Sequence, residues 1–287
     1  VEDPRLGDAV LAGGPVQDEQ DLVRGTRALP VDDVIRYRKS HDYVDHFREL
    51  LQTAVSDRVR TERVAVYMSG GLDSTVTAAL ARRDGHELIW LTVDYGQRHA
   101  VEIERARRLA AAMSVARHTV VSVDLRAIGG SALTSHVAVP KDRPSVERSH
   151  GIPITYVPGR NLIFLSLAAA HAEVVGAPVI YFGANVMDYS GYPDCRPEFI
   201  AAFEEAVCAG TKAGNENRRL RVCAPLLTMS KAEIIQTGVR LHVPLHLTHS
   251  CYDPVGDLAC GRCDSCLIRR DGFSNAGVVD PTAYAVT

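Results

Sequence analysis

A dominant charge of one sign is missing. The 287 residues carry 32 basic and 35 acidic side chains, a formal net charge of -3, which gives no ground for whole-surface binding to nucleic acid or to an anionic membrane. Lysine is scarce: Lys39, Lys141, Lys212 and Lys231 are the only four, so a lysine inside a motif is worth noting. The start, Val1-Glu2-Asp3-Pro4, lacks a basic segment followed by an apolar one, and no signal peptide is visible. There is no initiator Met either, so Val1 leaves room for a leader upstream. The most apolar long stretch, Leu162 to Phe182, is interrupted by His171, Glu173 and Pro178. It reads as a buried helix followed by a strand, not a membrane span. No repeat or low-complexity segment stands out. What remains is the composition of an ordinary soluble protein, 46% hydrophobic and 23% charged, long enough for one large domain or two small ones. A reducing, cytoplasmic setting is the expectation, and there clustered cysteines are more often metal ligands than disulfides.

Strand and helix signals alternate from residue 64 onward. Val64 to Met68, Leu88 to Val93, His118 to Val123 and Val179 to Phe182 are short apolar runs of strand length. Helical patterns follow over Asp73 to Arg83, Val101 to Met113, Asn161 to Val175, Arg196 to Ala209 and Ser230 to Leu241. The last opens with Ser230 and Glu233, a capping-box spacing. This order predicts an α/β fold, a doubly wound parallel sheet with helices on both faces. Residues 124 to 157 have no period and are rich in Gly, Ser and Pro, the composition of a functional loop or lid. The expected division is an N-terminal extension over 1–60 with an amphipathic helix from Asp42 to Val59, a nucleotide-binding domain over 61–245, and a small cysteine-bearing, turn-rich subdomain over 246–287.

The first strand runs into Ser69-Gly70-Gly71-Leu72-Asp73-Ser74-Thr75, and a helix follows. That junction offers free backbone N–H groups and the positive end of a helix dipole, a phosphate site in the making. Glycines let the main chain approach an anion closely, while Ser69, Ser74 and Thr75 add hydroxyl donors. The Gly-Lys-Ser/Thr ending of a Walker A loop is absent, and so is the G-x-G-x-x-G dinucleotide spacing. A tight turn that needs two glycines is the plainer alternative. The string resembles the SGGxDS pyrophosphate loop, or PP-loop, of the N-type ATP pyrophosphatases, which attack the α-phosphate of ATP and release pyrophosphate. That resemblance implies a role for Asp73 beside Mg²⁺ and pyrophosphate, and one carboxylate plus phosphates is an adequate Mg²⁺ site.

Four of the seven cysteines cluster with the spacing Cys251-x8-Cys260-x2-Cys263-x2-Cys266. Thiolates at this density, with Gly256 and Gly261 for sharp turns, can close tetrahedrally around Zn²⁺. An iron–sulfur cluster, a redox dithiol and unligated thiols are the alternatives. Zinc is favoured because four thiolates complete its shell, leaving the chemistry to the nucleotide loop.

Loop and cysteines together resemble the QueC family of 7-cyano-7-deazaguanine synthases, over roughly residues 64 to 274. Further strings carry the likeness: Asp94-Tyr95-Gly96-Gln97-Arg98-His99, Val157-Pro158-Gly159-Arg160-Asn161, the run from Asp188 to Phe199, Ser230-Lys231-Ala232-Glu233, and Cys260-Gly261-Arg262-Cys263-Asp264-Ser265-Cys266. The resemblance implies an enzyme that uses ATP to adenylate the carboxylate of 7-carboxy-7-deazaguanine, admits ammonia to give an amide, and spends a second ATP to leave the nitrile. Charge on the departing pyrophosphate would be met by the loop, Mg²⁺ and the cations Lys231 and Arg160. Lys231 could equally be a solvated surface residue. For the flat base, the segment with Asp188, Tyr189, Tyr192, Asp194 and Arg196 offers carboxylates that can accept paired hydrogen bonds and rings that can stack. A rigid turn with capping aspartates is its structural alternative.

Two features depart from the family. About sixty residues precede the first strand, and within them Val23 to Pro30 loosely resembles the entry to asparagine-synthetase-type domains. A second function therefore stands beside the first: a QueC-like ligase that joins the activated carboxylate to an amine of a protein or other macromolecule, stopping at the amide, with the extension as a docking surface. The resemblance also implies a homodimer. No direct contact with nucleic acid or membrane is expected.

Overall fold

Val64 and Val66 alternate with Ala65 along one short strand, and all three are fully buried. Apolar residues on both faces require cover on both faces, which is the condition of a central parallel strand. The computed structural model describes residues 62–97, 101–148, 151–187 and 192–285. The helix expected over Asp42 to Val59 lies outside them.

Within these residues β1 (Arg63–Tyr67), β2 (Glu87–Asp94), β3 (Arg117–Ser122), β4 (Val179–Tyr181) and β5 (Arg221–Cys223) form one sheet in the order β3-β2-β1-β4-β5. Each neighbouring pair is parallel; Val64 lies opposite Leu88 on one side and Val179 on the other. Helices α1 (Leu72–Arg83), α2 (Val101–Ala112), α5 (Lys231–Arg240) and α6 (Asp264–Ala276) pack with Val64, Val66 and Met68 on one face. Helices α3 (Arg160–Val175) and α4 (Pro197–Gly210) pack with Ala65, Leu91 and Ile180 on the other. This is the doubly wound α/β sheet that the alternation predicts. Strand order reverses between β1 and β4, so a crevice opens beyond their carboxyl ends.

Two elements escape the sequence pattern. β5 is three residues long, too short to show a period. The cysteine region is not turns throughout: α6 starts directly at Cys263 as N-cap, with Asp264 in its first turn, and stops at Gly277 with φ of +68°. Its apolar side is discontinuous, which hides the helix from a periodicity reading.

Residues 124 to 157 are largely irregular, as expected, with one 3₁₀ turn at Leu125–Ala127 and a single helical turn at Ser145–Arg148. Part of the stretch is strapped to the cysteine region. Lys141 bridges to Cys263 in antiparallel fashion, and the Asp142 N–H donates to the Arg262 carbonyl at 2.8 Å. Ion pairs Lys141–Asp253 (2.9 Å), Arg143–Asp264 (2.7 Å) and Arg148–Asp271 (3.1 Å) add to it. Among the described residues no helix is long and apolar enough to cross a membrane.

Candidate functional site

The crevice at the end of β1 begins with the glycine loop. Gly70 has φ of +78°, and a Cβ there would stand 2.5 Å from the Glu102 carbonyl and 3.0 Å from the Ala106 nitrogen. Only glycine lets the loop lie against the first turns of α2. Gly71 is the N-cap of α1 and makes no side-chain cap, so the first N–H groups of α1 have no side-chain acceptor at the N-cap. The hydroxyls of Ser69 and Ser74 are 3.1 Å apart, the Gly71 N–H donates to Ser69 Oγ at 3.3 Å, and Thr75 Oγ1 donates to the Gly71 carbonyl at 2.6 Å. Opposite, Gly183 after β4 brings the next main chain close to α1: a Cβ there would be 3.0 Å from the Ser74 nitrogen. Donors, positive dipole end and bare backbone meet at one place.

Lys231 reaches this rim from another helix. Its Nζ donates to both oxygens of Asp73, at 2.7 and 2.9 Å. The capping box places it there: Ser230 and Glu233 bond reciprocally, with Lys231 the first residue of α5. Gly272 of α6 makes the room; a Cβ at that position would lie 2.9 Å from Lys231 Cβ and 3.0 Å from Ile235 Cδ1. Lys231 is thus not the surface residue of the alternative reading but largely enclosed, with 12% of its side chain exposed.

Deeper in the crevice Arg160 opens α3 after Gly159, whose φ is +64°. The guanidinium lies within the electrostatic reach of Tyr67, Tyr95, Tyr192 and Tyr252. Burial raises the hydroxyls of Tyr67, Tyr95 and Tyr192, against the pull of Arg160, and keeps them neutral donors. Tyr192 also approaches Thr155 Oγ1 at 3.4 Å, and its ring lies 5.7 Å from that of Tyr156. Glu102 shares this wall. Burial pushes its carboxyl up to about 7, and Arg160 draws it back only in part.

The crevice therefore gathers Ser69, Gly71, Leu72, Asp73, Ser74, Arg160, Tyr192 and Lys231. Gly70 and Thr75 support it from behind. Asp194 is buried and accepts from the Asn161 N–H through Oδ2 at 3.0 Å, tying its turn to the start of α3. Arg196 is exposed at the N-cap of α4. Asp188 and Tyr189 lie outside the described residues. The sequence pattern assigned no site role to Glu102, Tyr67, Tyr95 or Gly272, although Tyr95 and Gly272 fall in strings that carry the family likeness. An acid in a first helical turn is an ordinary dipole partner, and nothing in the string around Glu102 or Gly272 hints at what lies opposite.

Cys251, Cys260, Cys263 and Cys266 are all buried, and their sulfurs lie within 4.8 Å of one another. A tetrahedral shell with Zn–S bonds of about 2.3 Å sets its sulfurs about 3.8 Å apart. Cys260 and Cys266 stand at 4.0 Å. Main-chain N–H groups already point at the sulfurs: those of Asp253 and Cys260 donate to Cys251 Sγ at 3.3 and 3.2 Å, and that of Cys263 to Cys260 Sγ at 3.3 Å. Such donors favour thiolate over thiol. An iron–sulfur cluster shares four thiolates among two or four irons and spreads them wider than one ion does. The segment is tied to the glycine loop as well, since the His249 N–H donates to the Gly70 carbonyl at 2.9 Å.

A family model described as queuosine biosynthesis protein QueC matches residues 63–277. A 7-cyano-7-deazaguanine synthase of Myxococcus xanthus (strain DK1622) is 60% identical over 224 residues, 78% of this chain and 97% of its own length. Synthases of the same name from Anaeromyxobacter sp. (strain Fw109-5) and Saccharophagus degradans (strain 2-40 / ATCC 43961 / DSM 17024) are 57% and 52% identical. Each covers 78% of this chain, and they are matched over 97% and 98% of their own lengths.

Proposed function

The chain belongs to the QueC family of queuosine biosynthesis proteins, ATP-dependent enzymes of the PP-loop superfamily, and on that premise we propose that it converts 7-carboxy-7-deazaguanine to 7-cyano-7-deazaguanine with ATP and ammonia. The substrate carboxylate attacks the α-phosphorus of ATP, and pyrophosphate leaves. Ammonia adds to the acyl adenylate; AMP departs, a proton is lost, and the amide results. The amide oxygen then takes AMP from a second ATP. Loss of that AMP with the remaining N–H protons gives the nitrile.

The observation that carries this reading is the Lys231–Asp73 pair on the rim of the glycine loop. Negative charge grows on the pyrophosphate oxygens as it leaves, and the groups beside the loop supply its counterpart. Free N–H groups at the head of α1 and Lys231 Nζ do this from the chain itself. Asp73, a carboxylate beside the Ser74 hydroxyl, would hold Mg²⁺, which supplies further charge neutralisation when bound. Arg160 would face the substrate carboxylate or its adenylate. The ring of Tyr192, which lines the crevice, offers a face on which the base could stack. The four cysteines would hold Zn²⁺, whose contribution is structural, since they complete its shell and leave no position open.

Incubation with ATP, Mg²⁺, 7-carboxy-7-deazaguanine and ammonium, followed by mass spectrometry, tests the proposal. Nitrile with two AMP formed per nitrile is the expected product. Adenylate or amide without nitrile overturns it in favour of a ligase that stops at the amide and passes the acyl group to a larger amine.

A further inference from the structure

We propose that Glu102 is the general base of the second half-reaction, accepting the protons that nitrogen gives up when the amide and then the nitrile form. The inference rests on the synthase reading above and adds a residue to it. Adenylation needs no base, because the carboxylate attacks as an anion. Nitrogen chemistry does. Ammonia that has added to the acyl adenylate bears a positive charge, and it must lose a proton before AMP departs cleanly; two more N–H protons go when the activated amide becomes a nitrile. Three protons therefore have to leave the reacting nitrogen for each nitrile formed.

Of the two carboxylates that line the crevice among the described residues, Asp73 has both oxygens on Lys231 Nζ. Glu102 is placed differently. It sits in the first turn of α2, whose main chain is the surface on which Gly70 rests, so it is fixed relative to the glycine loop. It lines the crevice together with Arg160 from α3, Tyr67 at the end of β1 and Tyr95 after β2, close enough for their charges to act on one another. Arg160 acts on it through space and not through a hydrogen bond. Burial pushes Cys195 up to about 12 and raises Tyr67 and Tyr95, so these stay protonated near neutrality; a further titratable side chain on this wall is His249. Burial brings Glu102 to about 7, where a base is most effective at cellular pH. The amine and the acyl carbon would meet between Arg160, which neutralises the acyl oxygen, and Glu102, which takes the proton.

Two assays on Glu102→Gln separate the half-reactions. Exchange of labelled pyrophosphate into ATP, dependent on 7-carboxy-7-deazaguanine, reports adenylation. Ammonium-dependent amide and nitrile, followed at constant free ammonia so that ammonium titration drops out, report the nitrogen steps. The wild type is expected to lose product formation below an apparent pKa near 7, while exchange persists. The variant should keep exchange and lose product formation about 10²- to 10⁴-fold, with no acid limb left. Glu102→Asp should recover part of the rate and restore the limb. Product formation at the wild-type rate in Glu102→Gln overturns the proposal. So does a parallel loss of exchange, which would mean that the residue holds the loop and does not handle protons. Absence of exchange in the wild type would instead sink the synthase reading, and this proposal with it.

Discussion

Lys231 can reach Asp73 because Gly272, on a helix that begins among the cysteines, has no side chain to occupy the space. Replacing Gly272 by Ala puts a methyl group against the near end of Lys231, which cannot simply swing aside. We expect a loss of about 1–3 kcal/mol in urea denaturation, with a fall in pyrophosphate exchange greater than in substrate affinity. Lys231→Met removes the cation itself. Its expected effect is about a 10²- to 10³-fold lower rate of pyrophosphate release with the fold intact, checked by circular dichroism beside the kinetics. Lys231 was legible in advance from its rarity and its motif. Glu102 was not, and neither was the role of Gly272, because their meaning lies in what stands opposite, and no local string records that.

Helix termini place most of the site. Gly71 starts α1 without a side-chain cap and so leaves donors for an anion, while Ser230 starts α5 with a full capping box and so fixes Lys231. Ser230→Ala should cost about 1 kcal/mol and loosen Lys231, seen as a lower denaturation midpoint with partial loss of turnover. Gly70→Ala should be worse for function than for stability. It would force φ of +78° on a side-chain-bearing residue and press it into the main chain of α2. The expected readout is loss of ATP binding by calorimetry. The capping box, the glycine loop and four of the five strands are visible in the sequence because caps, turns and buried strands have local signatures. The exceptions are instructive. β5 is a three-residue strand that exists only because β4 is beside it, and α6 is a helix whose start is set by the cysteine constellation.

Across the whole of residues 62 to 285 the cysteine segment is a tie between parts. It is bonded to the glycine loop at His249–Gly70, strapped by Lys141, Asp142 and Arg143, and continued by α6 into the packing around Lys231. Removing the proposed zinc should therefore lower the melting temperature and the rate of pyrophosphate exchange together. Elemental analysis before and after chelation, alongside calorimetry, tests this; one zinc per chain is the expected content. Exchange that survives loss of the metal would show the segment to be an appendage. By itself the sequence determined the α/β class, the phosphate loop, the four thiols and the family, because each is encoded by residues close together in the chain or by their order. Tertiary structure alone decided which cation meets Asp73, that Arg160 sits among four tyrosines, and that Glu102 shares their wall. Those partners come from strands and helices far apart in the chain, and a carboxyl's affinity for its proton depends on burial and neighbouring charge, which exist only once the chain has folded.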